Sequence, residues 1–185
     1  MTILYFIRHA EPNYENHDDF TRELTHKGLQ SSKEIVNLFD KIQIDAFYSS
    51  PYIRSVDTIR PLAESRGQVI HRVADFRERK ITDHWIEDFT DFTERQWADF
   101  NYHLSGGESL AQVQKRNIEA LQNLLNQHED ETIIIGTHGT ALSTIINYYN
   151  PNFQLKDFQR VKNLFPWIVK FTFQKTTCLT IDEIY

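Results

Sequence analysis

The chain has 185 residues, 40% hydrophobic and 25% charged, enough for one domain with a sizeable core. Its formal net charge of −6 at pH 7 argues against a nucleic-acid partner but leaves room for a local cationic cleft. One cysteine, Cys178, excludes an internal disulfide and speaks against a cysteine-based zinc site. The start, MTILYFIRHAEP, lacks the charged and long apolar regions of a signal peptide, and no apolar run is long enough to span a bilayer. The expectation is a cytoplasmic protein with no membrane partner.

In chain order, residues 2–7 (TILYFI) form an apolar, partly β-branched run, expected as a strand buried on both faces. Thr25 stands at an N-cap position before a helix whose stripe is Leu29, Ile35, Val36, Leu38 and Phe39. A strand follows at 45–50, then a helix over 51–65 opened by Pro51 and stopped by Gly67. Residues 68–73 read as another strand. A long helix then carries Leu110, Val113, Ile118, Leu121, Leu124 and Leu125 on one side. A buried strand at 131–139 runs up to His138, and a helix follows it. Strands at 167–173 and 178–184 close the chain. Alternating strands and helices predict an α/β fold: a three-layer sandwich, its central sheet mostly parallel, with helices on both faces.

Ligands of such sheets bind beyond the carboxyl ends of the strands. Arg8 and His9 end the first strand, Ser49 and Ser50 end the second with Arg54 one helical turn on, and His138 ends the strand IIIGT. If these strands are neighbours, two imidazoles and two guanidiniums converge. Such a cluster is costly unless an anion fills it, and the arginine fork matches phosphate.

Six segments in order support a wider comparison: FIRHAEP, LTHKGLQS, YSSPYIRSVDTI, FRERK, GGES and GTHGTAL. Together they resemble the histidine phosphatase superfamily, also called the phosphoglycerate-mutase-like family, over most of the chain. The resemblance implies that His9 attacks phosphorus and becomes a phosphohistidine, with no metal or cofactor. It implies that Arg8, Arg54 and His138 hold the phosphoryl oxygens, and that Glu78 protonates the leaving oxygen and then activates water. Glu78 lies in the charged stretch DFRERK, and Asp75 and Asp83 are alternative acids. Asn13 and Asn16 are both candidates for an asparagine that orients the nucleophile or phosphate. Gly106 and Gly107 before Glu108 and Ser109 most simply start a helix, with Glu108 favourable at its positive end and a substrate role for Glu108 or Ser109 secondary. Alanine at position 10, where many members have glycine, should fit if its φ is negative. His17, His26, His71, His84, His103 and His128 read as surface or packing residues, and their spacing suggests no metal site.

Residues 75–100 hold eight acids, four bases and six aromatics. The stretch 75–107 is expected to be a lid on a single domain of residues 1–185. Its aromatics either pack on the body or form a wall against the leaving group, with Trp85 and Trp97 able to stack on a flat ring. An acidic lid disfavours very anionic substrates. The favoured function is a phosphomonoesterase acting on a small phosphorylated metabolite, with a phosphoprotein substrate left open. A phosphoglycerate mutase would want a longer, more basic cover over its substrate. A non-catalytic phospho-ligand or protein-binding module is the third reading, disfavoured because every residue the chemistry needs is present. Oligomeric state is not legible.

Overall fold

The computed structural model describes residues 1–185. Its six-stranded sheet contains β1 (Thr2–Arg8), β2 (Ala46–Ser49), β3 (Ile70–Arg72), β4 (Thr132–Thr137), β5 (Trp167–Gln174) and β6 (Thr177–Glu183). The order across the sheet is β3-β2-β4-β1-β5-β6. The first four of these strands run parallel, and β5 and β6 add an antiparallel hairpin at one edge. The helices are α1 (His26–Leu38), α2 (Ile53–Ser65), α3 (Phe89–Ala98), α4 (Leu110–Gln127), α5 (Gly139–Tyr149) and α6 (Leu155–Val161). No helix is long and apolar enough to cross a membrane.

The period-two alternation of the strands divides the core into two layers. Leu4, Phe6, Ile133, Ile135, Trp167 and Val169 face one side, under α4, α5 and α6. Tyr5, Ile7, Phe47, Ile134 and Ile168 face the other, under Ile35 and Phe39 of the α1 region and Ile59 and Leu62 of α2. Both faces are covered, which accounts for the unbroken apolar runs of β1 and β4. Each fully buried large side chain here contributes about 1.5–3 kcal/mol of transfer free energy.

The expected stripe of α1 is corrected at two positions: Leu29 and Leu38 are each 44% exposed, so the helix docks through Ile35 and Phe39. Pro51 lies before the helix it was expected to open; Tyr52 is the N-cap and α2 begins at Ile53. Gly67 does stop that helix, at φ +63°. Ser109, rather than the glycines before it, starts α4, in a capping box with Gln112. Thr25 caps α1 by accepting from the Gly28 amide.

The register positions the site. Arg8 of β1 pairs with Thr137 of β4, and Ser49 of β2 pairs with Gly136 of β4. The carboxyl ends of three strands therefore align, and His9 and His138 each lie one residue past the last pair.

Candidate active site

His9 and His138 face each other with ring centroids 5.3 Å apart, both nearly free of solvent contact. His9 Nδ1 lies 2.8 Å from the Ala10 carbonyl. A carbonyl only accepts, so Nδ1 carries the proton and Nε2 keeps its lone pair. Burial, followed by the charges of Arg54 and Arg8, holds the His9 pKa well below its ordinary value, so the ring is neutral at pH 7. Burial and Arg54 act on His138 in the same direction. His138 Nε2 is 2.8 Å from Ser50 Oγ, and its buried Nδ1 has no protein partner. Ala10 keeps a negative φ, as expected of alanine there, and its amide donates to Thr58 Oγ1.

Arg8 is fixed on one side only. Its Nη1 donates to the carbonyls of Val161, Lys162 and Leu164 at 2.8–3.1 Å, and its guanidinium lies 4.0 Å over the Phe165 ring. Its Nε is buried without a partner. Burial lowers its pKa to about 10, which leaves it charged at pH 7. Gly139, at the start of α5, permits this packing: a Cβ there would stand 2.9 Å from Arg8 Cζ and Nε. Arg54, 2% exposed, reaches the same end of the cleft from α2 and donates through Nη1 to the Asp19 carbonyl at 2.5 Å.

Glu78 closes the group. Its carboxylate accepts from the amides of Thr140 and Ala141 at 3.0 Å, in the first turn of α5, and from the Arg79 amide at 2.8 Å. Arg79 in turn is buried and held by Gln96 Oε1 at 2.9 Å. Arg8, His9, Arg54, Glu78 and Arg79 line one cavity of about 580 Å³, with Asp19, Gly139, Thr140 and Lys162 beside them; His138 is not on its wall.

The histidine phosphatase superfamily (branch 1) family model matches residues 4–181. The chain belongs to the histidine phosphatase superfamily. Among curated relatives, phosphoserine phosphatase 1 of Hydrogenobacter thermophilus is 24% identical over 155 residues, covering 75% of this chain and 71% of that protein. The metal-independent phosphoserine phosphatase of Arabidopsis thaliana is 27% identical over 161 residues, covering 78% and 67%. Among solved structures, YhfR of Bacillus stearothermophilus superposes with a TM-score of 0.78 at 22% identity, covering 97% of this chain and 95% of that one. A phosphoserine phosphatase from Entamoeba histolytica in complex with 3-phosphoglyceric acid gives a TM-score of 0.78 at 22% identity, covering 98% and 97%. This histidine phosphatase is accordingly a phosphoric monoester hydrolase.

Several sequence-based candidates fall elsewhere in the histidine phosphatase. Asn13 and Asn16 both donate to the carboxylate of Glu23, at 2.7 and 3.0 Å, hold its pKa down to about 2, and do not line the cavity. They shape the loop between β1 and α1. Glu108 and Ser109 are also off the cavity wall. Glu108 accepts from Arg116 at 2.8 and 2.9 Å and from the Lys80 amide at 2.9 Å, which ties down the segment carrying Glu78. Asp75 pairs with Arg77 at the surface and does not line the cavity. Asp83 reaches the cavity wall but is 71% exposed and bound to Lys80. Trp97 is 5% exposed in the core against Phe100, Phe153 and Phe158, so it cannot stack on a substrate. Trp85 does line the cavity, stacked face to face on His17 at 4.0 Å.

The loop between β1 and α1 supplies residues that sequence reasoning passed over. Arg22 is 7% exposed, lines the cavity and donates through Nε to the Asn16 carbonyl at 2.7 Å. Tyr14, His17 and Asp19 line the same wall. Arg22 directly precedes the segment ELTHKG, and its place beside that motif was the one available signal.

Proposed function

We propose that the protein hydrolyses small phosphomonoesters without a metal, through a phosphohistidine on His9. The observation that carries this reading is the free lone pair of His9 Nε2 in a pocket where Arg8, Arg22 and Arg54 converge. A neutral imidazole attacks phosphorus in line, and the P–O bond to the leaving group breaks as the N–P bond forms. Arg8 Nε, Arg54, Arg22 and His138 donate to the phosphoryl oxygens, where preorganised donors in a dry site have their largest effect. Glu78 gives a proton to the leaving alkoxide and then takes one from the water that splits the N–P bond. The amides of Thr140, Ala141 and Arg79 fix its carboxylate between these two steps.

Residues 75–107 act as the lid. Their contribution to the wall beyond the phosphate is Ile81, Thr82, Trp85, Ile86 and Phe89, with acidic Asp83 and Glu94. This surface offers little to a second phosphate, which supports monophosphates over bisphosphates. Phosphoserine, named for two of the relatives, is the first natural candidate.

The test is release of p-nitrophenol from p-nitrophenyl phosphate in excess EDTA, for wild type and His9→Ala. Metal-independent release that vanishes in the variant is expected, followed by turnover of phosphoserine. Release by His9→Ala at the wild-type rate would remove the phosphohistidine, and isomerisation of phosphoglycerate in place of hydrolysis would make the protein a mutase.

A further inference from the structure

The loop between β1 and α1 carries a carboxylate that the hydrolytic mechanism leaves unused. Asp19 Oδ1 accepts from Arg22 Nη1 at 3.1 Å and stands 3.4 Å from Arg54 Nη2. One oxygen thus bridges two of the three guanidiniums at the phosphate end of the cavity. The Asp19 backbone carbonyl separately accepts from Arg54 Nη1 at 2.5 Å. The side chains of Arg54 and Arg22 are 3% and 8% exposed, whereas that of Asp19 is 47% exposed. A carboxylate is the wrong charge for a wall that receives a dianion: it repels the phosphate and competes for the same N–H groups.

We propose that Asp19 is a tuning residue that lowers the affinity of the site for phosphate, so that the inorganic phosphate left by hydrolysis is released. The proposal rests on the phosphatase reading given above. Asp19 touches neither His9 nor Glu78 and acts through Arg22 and Arg54. Three guanidiniums in a largely buried pocket bind a dianion strongly; binding shared equally by substrate and transition state does not raise kcat, and a tightly held product slows release. Asp19 offsets part of that positive charge without removing a donor. Its half-exposed side chain is free to swing toward solvent as phosphoryl oxygens take over the guanidinium N–H groups.

Asp19→Asn isolates the charge, because asparagine keeps the Oδ1 acceptor and the backbone carbonyl that hold the two arginines. The affinity for inorganic phosphate is measured by calorimetric titration and, independently, by competitive inhibition of p-nitrophenyl phosphate hydrolysis, at fixed ionic strength. Removing one negative charge beside the anion is expected to tighten phosphate binding at least about fivefold, with KM falling in the same direction. Disturbed packing moves the constant the opposite way, since misplaced arginines hold phosphate less well. An unchanged constant overturns the proposal, and a weakened one overturns it in favour of Asp19 as a structural brace. Asp19→Ser carries the same comparison if the asparagine variant does not fold. Wild-type protein that neither turns over the ester nor binds phosphate would instead overturn the phosphatase reading itself.

Discussion

Arg54 enters the site through a helix and is 2% exposed, so its charge acts at low effective dielectric. Removing one preorganised donor of this kind costs about 2.7–4 kcal/mol of transition-state stabilisation. Arg54→Ala should lower kcat by about 100- to 1000-fold in steady-state kinetics; a near-wild-type rate would remove it from the phosphate clamp. The two histidines make a pH prediction. Both pKa values lie well below the ordinary 6.5. As pH falls below about 6.5 the unfolded chain therefore takes up protons that the folded protein refuses, and stability present above that pH is lost. Thermal unfolding followed from pH 7 to pH 5 should show a falling midpoint, with at most about 1.4 kcal/mol lost per pH unit for each histidine. His9→Asn should make that fall shallower. Arg8, His9, Arg54 and His138 were legible in the sequence because strand ends and a following helix turn have a fixed place in a parallel sheet. Arg22 and Asp19 were not. Their loop has no periodicity, and its shape comes from Asn13 and Asn16 binding Glu23, a tertiary arrangement with no local signature.

At the scale of elements, α4 and the segment before it act together. Arg116 on α4 donates to the carbonyls of Asp75, Arg77 and Glu78 as well as to the Glu108 carboxylate. Burial alone would raise the Glu108 pKa, but Arg116, the Lys80 amide and Arg77 together bring it below its ordinary value. Glu108→Ala should therefore lower kcat by loosening the Glu78 segment, although residue 108 touches no substrate. The effect should be larger for alkyl phosphates, which need the proton, than for p-nitrophenyl phosphate; equal losses would mean that Glu108 does not act through Glu78. Gly107 belongs to the same joint, since a Cβ there would lie 1.9 Å from the Ile81 carbonyl oxygen. Further along α4, Leu121 is completely buried, and Leu121→Ala should cost about 2–5 kcal/mol in denaturant unfolding with site geometry retained. The apolar side of α4 was readable from its period, and all six of its expected core positions are buried. The seven-residue α6 was not read, being too short for a periodic signal. Yet residues 161–164, at and just after its end, supply the carbonyls that orient Arg8.

Across the whole molecule, a chain of net charge −6 concentrates Arg8, Arg22 and Arg54 at one end of a cavity, where strand order brings β1, β2 and β4 side by side. Acidic side chains elsewhere keep the surface negative, and Asp83 and Glu94 continue that sign onto the outer cavity wall. The alternation of strands and helices was enough to predict the parallel core, while the order of the strands, which makes His9 and His138 neighbours, depends on long-range pairing that no local pattern encodes. The chemistry turns on the covalent step on His9. Its most direct test is rapid acid-free quenching during turnover, followed by peptide mass spectrometry under conditions that preserve phosphoramidates. An acid-labile phosphoryl group on His9, formed and lost at rates that account for kcat and absent from His9→Ala, is the predicted result. Turnover with no phosphoenzyme, or a phosphoryl group on a different residue, would contradict it.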